Sequence, residues 1–109
     1  MAVSKSSEFE VKEIELAEIA KALSHPARIK ILKILASANA CMCGEIVDLL
    51  PLSQATVSQH LKELKRVGFI KGDIDGPKVC YCIDKRFFEK TKNEIESYFN
   101  KIDELNKCC

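Results

Sequence analysis

The stretch Ser53 to Gly68 reads S-Q-A-T-V-S-Q-H-L-K-E-L-K-R-V-G, and its reading decides the fold. Val57, Leu61 and Leu64 recur at i, i+4 and i+7, which makes one apolar stripe of a helix. Ser53 stands where an N-cap belongs, and Gly68 stands where a helix stops. The other side crowds Gln54, Thr56, Ser58, Gln59 and His60 into the first two turns. Such short polar groups suit hydrogen bonding to base edges and phosphates better than they suit a plain solvated face. Lys62, Lys65 and Arg66 then add positive charge. A helix that reads DNA does so mostly with its N-terminal residues and rests its basic end near phosphates. An ordinary amphipathic surface helix shares the apolar stripe, so the flanking sequence has to decide.

Upstream, Gly44-Glu45-Ile46-Val47-Asp48-Leu49-Leu50 is a short amphipathic helix that ends at Pro51. Pro51 and Leu52 make a tight connection, so the pattern is helix, turn, helix. Downstream, Phe69 to Ile74 and Lys78 to Ile83 are β-like runs around Asp75-Gly76-Pro77, and Asp-Gly between such runs signals a hairpin. A hairpin directly after a reading helix is a wing. The fold class predicted is mainly α with a small β-hairpin wing, a winged helix-turn-helix whose DNA-reading part spans 44–83.

The rest of the chain fits one domain over 9–107, after a flexible polar N-terminus at 1–8 and before a Cys-Cys tail at 108–109. At 109 residues and 47% hydrophobic the core can only be modest, so a second copy would help to stabilise it. Residues 9–23 and 26–36 read as helices, with Pro26 at a favoured first position and His25 before it in a structural role. Residues 86–107 read as a last helix. Its Phe88, Thr91, Ile95, Tyr98, Ile102 and Leu105 alternate three and four apart, the seam of a coiled-coil-like face. That seam, with helix 9–23 beside it, predicts a homodimer with two reading heads and a pseudo-palindromic double-stranded operator.

Charge supports the same division. The net is only +1, yet residues 53–86 hold seven basic against four acidic residues, while 37–52 hold two acidic and none basic. The positive excess sits on the expected reading head and wing. No run is long enough to span a membrane, and M-A-V-S-K-S-S-E lacks the apolar core of a signal peptide. A cytoplasmic location follows as the expectation, where thiols stay reduced. Six cysteines fall there in three pairs: Cys41 and Cys43, Cys80 and Cys82, Cys108 and Cys109. In that compartment, clustered cysteines point to metal or redox chemistry rather than a disulfide framework. Without a C-x-x-C, a phosphate-cradling loop or an acid–base pair beside a cysteine, the chain is not expected to be an enzyme or to need a cofactor.

Leu23 to Leu35, L-S-H-P-A-R-I-K-I-L-K-I-L, resembles the L-x-x-P-x-R-x-x-I-L pattern of the ArsR–SmtB family of winged-helix metal-sensing repressors. The resemblance continues through A-C-M-C-G-E-I, S-Q-A-T-V-S-Q-H-L, R-V-G-F-I and V-C-Y-C-I, roughly residues 9 to 105. It implies a dimeric cytoplasmic repressor that holds its operator until an inducer arrives. It also implies that Cys41 and Cys43 supply thiolates for a soft metal ion or arsenite. The arsenite-sensing version carries a third Cys where this chain has Ile46, so a further donor is needed. Cys108 and Cys109 are the first candidates, and Cys80 and Cys82 the rivals.

Two geometric expectations accompany this. On a helix, i and i+2 point about 200° apart, so Cys41 and Cys43 can share an ion only if the helix start is irregular. On the wing, Val79, Tyr81 and Ile83 are expected to face the core, which turns Cys80 and Cys82 outward on one face, with a disulfide within that pair disfavoured. The predicted inducer is arsenite or antimonite. A thiol-based redox or persulfide-sensing repressor, or one responding to cadmium, lead or zinc, is the alternative.

Overall fold

The computed structural model describes residues 8–75 and 78–108, with the backbone alone for 73–75 and 78. Residues 1–7 of the expected flexible segment 1–8, Gly76-Pro77 of the expected hairpin turn, and Cys109 lie outside the described residues. The elements run α1 (Val11–Ala22), α2 (Pro26–Ala38), α3 (Glu45–Asp48), α4 (Gln54–Val67), β1 (Ile70–Asp75), β2 (Lys78–Ile83) and α5 (Lys85–Leu105). No described helix is long and apolar enough to cross a membrane.

Local chemistry accounts for most of the boundaries. His25 Nδ1 accepts from the backbone N–H of Ala27 at 3.0 Å and caps α2, which begins at Pro26. Ser53 Oγ accepts from the N–H of Thr56 and starts α4. Asp84 does the same for Phe87 and starts α5. In each case a side chain satisfies one of the donors that a helix N-terminus leaves unpaired. Asn39 closes α2 in the left-handed region. Gly68 closes α4 at φ 122°, and a Cβ there would also stand 3.0 Å from the Phe87 ring. Only glycine tolerates both conditions. The tight turn lets Phe69 pack edge-on against Phe87 and Phe88.

The core joins Ile19 and Ala22 of α1, Ile31 and Leu35 of α2, Ile46 of α3, and the Val57, Leu61, Leu64 stripe of α4. The α4 stripe predicted from the sequence is therefore the face that holds the domain together. The seam of α5 divides in two. Phe88, Thr91 and Ile95 pack against this chain's own core, while Tyr98, Phe99, Ile102 and Leu105 stand exposed. At the start of α1, Phe9 and Val11 are exposed as well.

β1 and β2 pair antiparallel, with Gly72 opposite Tyr81 and Lys71 opposite Cys82. The free edge of β2 is extended by one residue of the α2–α3 connection. The N–H of Met42 donates to Tyr81 O at 2.9 Å, and the N–H of Tyr81 donates to Met42 O at 2.7 Å. The wing is thereby fastened to the segment that leads into the helix-turn-helix.

Candidate nucleic-acid interface and cysteine corner

The outward face of α4 carries Gln54, Ser58, Gln59, Lys62 and Lys65, all exposed. Its N-terminus also leaves backbone N–H groups and a partial positive charge pointing outward. Ser53 is exposed but committed to the cap, and it also donates from Oγ to Thr56 Oγ1 at 3.0 Å. Thr56 is half-buried. Lys65 leans over Gly72, so its ammonium lies where α4 meets the wing.

One predicted reader is corrected. His60 is only 9% exposed, and its Nδ1 accepts from Arg28 Nε at 3.1 Å. It faces the inside of the domain because it lies three residues after Val57 and one before Leu61, at the margin of the buried stripe. Arg28 also donates to the last carbonyls of α1, Lys21 O and Ala22 O. A single guanidinium thus ties the end of α1 and the start of α2 to the reading helix. Burial holds the His60 pKa below its ordinary value, and the charges of His25 and Arg28 act in the same direction. The neutral ring is the form that can accept from Arg28. His25 lies with its ring centroid 4.4 Å from that of His60.

Arg66 is likewise not spare charge for phosphate. It forms a two-pronged pair with Glu63 and reaches Glu18 of α1 at 3.3 Å. These carboxylates hold its pKa above the usual arginine range, and the guanidinium holds that of Glu63 below the usual carboxylate range.

The cysteines form the second feature. Cys41-Met42-Cys43 is not on a helix. Met42 is bridged to Tyr81, and α3 begins only at Glu45. The helical separation expected for these cysteines is therefore replaced by strand geometry, in which i and i+2 share a face. Met42 opposite Tyr81 sets Cys41 opposite Cys82 and Cys43 opposite Cys80. Both pairs are disulfide-bonded, with Cα separations of 4.3 and 4.0 Å. A reducing compartment and the strain of an i, i+2 pair speak against disulfides within one C-x-C, but these bonds cross two segments, 41 and 37 residues apart in sequence.

The wing's facing also differs from expectation near its tip. Tyr81 and Ile83 pack against the core as predicted, but Val79 is 43% exposed and Cys80 only 8%. Cys80 is buried and bonded to Cys43, outside the main core cluster. Ile46, where a third cysteine of the arsenite pattern would fall, is 1% exposed and belongs to the core. Cys108 lies exposed beyond the end of α5 and takes no part in either described disulfide. With the four sulfurs paired, the described residues present no group of three or more metal-ligating side chains.

The sequence and the fold match known proteins. The helix-turn-helix domain family is matched over residues 23–73. An uncharacterized HTH-type transcriptional regulator of Methanocaldococcus jannaschii is 41% identical over 78 residues, 70% of this chain and 86% of that one. The cadmium resistance transcriptional regulatory protein CadC homolog of Staphylococcus aureus is 33% identical over 87 residues, 79% of this chain and 69% of that one. Among solved structures, an ArsR-like transcriptional regulator from Rhodococcus sp. RHA1 superposes with a TM-score of 0.70 at 26% identity, covering 85% of this chain and 87% of that one. The chain belongs to the ArsR–SmtB family. It is a winged-helix transcriptional regulator, and the family is not one of enzymes.

Two features of this ArsR–SmtB chain escaped the sequence reading. The Arg28–His60 link was hidden because α2 and α4 are 32 residues apart at that contact. The meeting of the cysteine pairs left a usable signal. Two C-x-C motifs of identical spacing are what two paired strands need to bring four side chains to one face.

Proposed function

We propose that the chain is a cytoplasmic, homodimeric repressor that leaves its operator DNA when a thiophilic inducer is captured by reduced cysteines between the wing and the helix-turn-helix. The observation that carries this reading is the convergence of Cys41 and Cys43 with Cys80 and Cys82 at the base of the reading head. A ligand held there links β2 to the segment entering α3, and β2 pairs with β1, which packs against α4. A ligand acts only by favouring one state over another, and this location can distinguish the DNA-bound from the DNA-free wing.

Arsenite and antimonite are the inducers first in line, since three thiolates suit them and the corner offers four. Cadmium, lead and zinc are the soft divalent alternatives, and the resemblance to a cadmium-resistance regulator supports that class. The Cys108–Cys109 tail is the other source of a third donor. A second reading is a thiol redox or persulfide sensor, favoured by the pairing of the same four sulfurs as disulfides. Dimerisation is supported by the exposed Tyr98, Phe99, Ile102 and Leu105 of α5 together with Phe9 and Val11. Ser58, Gln59 and Gln54 are the proposed base readers, with Ser53, Thr56, Lys62 and Lys65 near phosphates.

The test is operator binding by the reduced protein, followed by fluorescence anisotropy. Wild type binds and is released by arsenite or cadmium. Cys41→Ser and Cys43→Ser bind equally well and stay bound. If both variants release as wild type does, the inducer site is elsewhere. Release by peroxide, reversed by a thiol reductant, with none by metal or metalloid would select the redox reading. Ile102→Glu is expected to give a monomer in sedimentation, and a monomeric wild type would exclude the dimer.

A further inference from the structure

We infer that Arg28 is a positioning residue for the reading helix: through the neutral ring of His60 it holds α4 in the attitude that operator DNA requires, and a proton on that ring releases α4 and weakens binding. This rests on the reading that α4 enters the DNA, and it adds what holds α4 in place.

Arg28 stands in the first turn of α2, and its Nε donates to His60 Nδ1 at 3.1 Å. Its Nη1 donates to Lys21 O at 3.4 Å and to Ala22 O at 3.3 Å, at the end of α1. A guanidinium is planar with donors in fixed directions, so three helices share one geometry. The apolar stripe of Val57, Leu61 and Leu64 seats α4 on the core. Apolar contact has no direction, so it sets the depth of α4 more firmly than its rotation. The Arg28–His60 bond fixes that rotation beside Ser58 and Gln59, the proposed base readers.

His60 can serve only while neutral. An imidazolium has two donors and no acceptor, so a proton on Nδ1 would set N–H against N–H and charge against charge. The surroundings do not relieve that charge. His25 caps α2 with its own Nδ1, and its ring centroid lies 4.4 Å from that of His60. Lys21 at the end of α1 is a further cation. Glu63, one turn further along α4, has both oxygens engaged by Arg66, and Glu18 of α1 meets the same guanidinium. β1 meets α4 beyond this cluster, at Lys65. Burial first, then His25 and Arg28, hold the His60 pKa below its ordinary value.

The direction of the pH effect separates this role from a reading one. If the operator complex requires the tie, the His60 pKa is lower in the complex than in the free chain. Affinity is then full above the free-chain value and falls as pH drops below it, by about tenfold in total for each unit between the two. A histidine facing phosphates behaves the other way, because the anionic backbone raises its pKa and acid strengthens binding.

The experiment uses the reduced full chain and operator DNA at constant ionic strength, from about pH 8 to about pH 5.5, which brackets the ordinary histidine range. Relative to His60→Asn, wild-type affinity is expected to fall by about tenfold over that range, the effect of one unit of pKa difference. The chain holds only two histidines, so NMR of their ring protons follows each one in the free protein and in the operator complex. His60 should titrate at lower pH in the complex. Arg28→Lys keeps the charge without the fork, and should weaken operator binding at high pH and shrink the free-to-bound difference at His60. If Arg28→Lys does not fold, the wild-type NMR titration and the His60→Asn profile still decide. An equal or higher His60 pKa in the complex, or parallel pH profiles in wild type and His60→Asn, would overturn the tie. Unchanged operator preference in Gln59→Ala and Ser58→Ala would instead remove α4 as the reader. Changed preference in those variants with parallel pH profiles would remove the tie alone.

Discussion

The reading helix and the cysteine corner belong to one domain but are specified in opposite ways. α4 is defined within its own fourteen residues and their flanks: a Ser53 cap, an apolar stripe and a Gly68 stop. The corner is defined by two segments about forty residues apart in sequence, brought together by one backbone bridge at Met42 and Tyr81. Short-range chemistry builds the surface proposed to read DNA. Long-range pairing builds the site proposed to take the ligand. The β1–β2 wing is the element that joins them, since β1 packs against α4 and β2 carries two of the cysteines.

The contrast breaks most visibly at the core. Leu64 is fully buried between α4 and the rest of the domain. Leu64→Ala is expected to cost about 2–5 kcal/mol in urea unfolding. Cys41→Ser, at an exposed position, should cost far less in reduced protein while abolishing the ligand response. Equal losses in both variants would mean that the corner is a structural staple rather than a sensor.

A smaller effect separates reading from holding. Gln59→Ala is expected to change operator preference by about 1–3 kcal/mol, with thermal stability unaltered. Lys65→Ala should weaken all sequences alike and lower the salt slope by about one. Unchanged preference on replacing both Gln59 and Ser58 would move the reading face elsewhere.

Ser53→Ala removes the α4 cap and should cost about 1 kcal/mol of stability. Because the cap also orients Thr56, operator affinity should fall with it, and a loss of neither would show the cap to be dispensable.

The least effect is expected from His60. Its folded-state pKa is lowered, mainly by burial and then by His25 and Arg28. Its contribution to stability is therefore complete above its ordinary value of about 6.5 and is lost as pH falls through the folded value. Melting temperature should decline between pH 7 and 5, less so in His60→Asn, which keeps an acceptor for Arg28 but does not titrate. Parallel pH profiles in the two proteins would assign the decline to other groups.

How much of this was legible depended on the range of the interaction. The caps, the apolar stripe, the glycine stop and the hairpin strands were readable because each is set by neighbours within a few residues. The inward turn of His60 was not, since the helical period places position 60 at the edge of the stripe and only Arg28, from another helix, decides its direction. The wing face was read correctly at Tyr81 and Ile83 and wrongly at Val79, where the strand runs beyond the core that gives alternation its meaning.

The sequence by itself determined that this is a winged helix-turn-helix with a polar, basic reading helix and three cysteine pairs. Tertiary structure alone decided which cysteines meet. Spacing within a C-x-C limits only that pair, whereas the pairing of one C-x-C with another depends on strand register. The register here is fixed by the two hydrogen bonds between Met42 and Tyr81, groups that every peptide unit carries and that no side-chain pattern can announce.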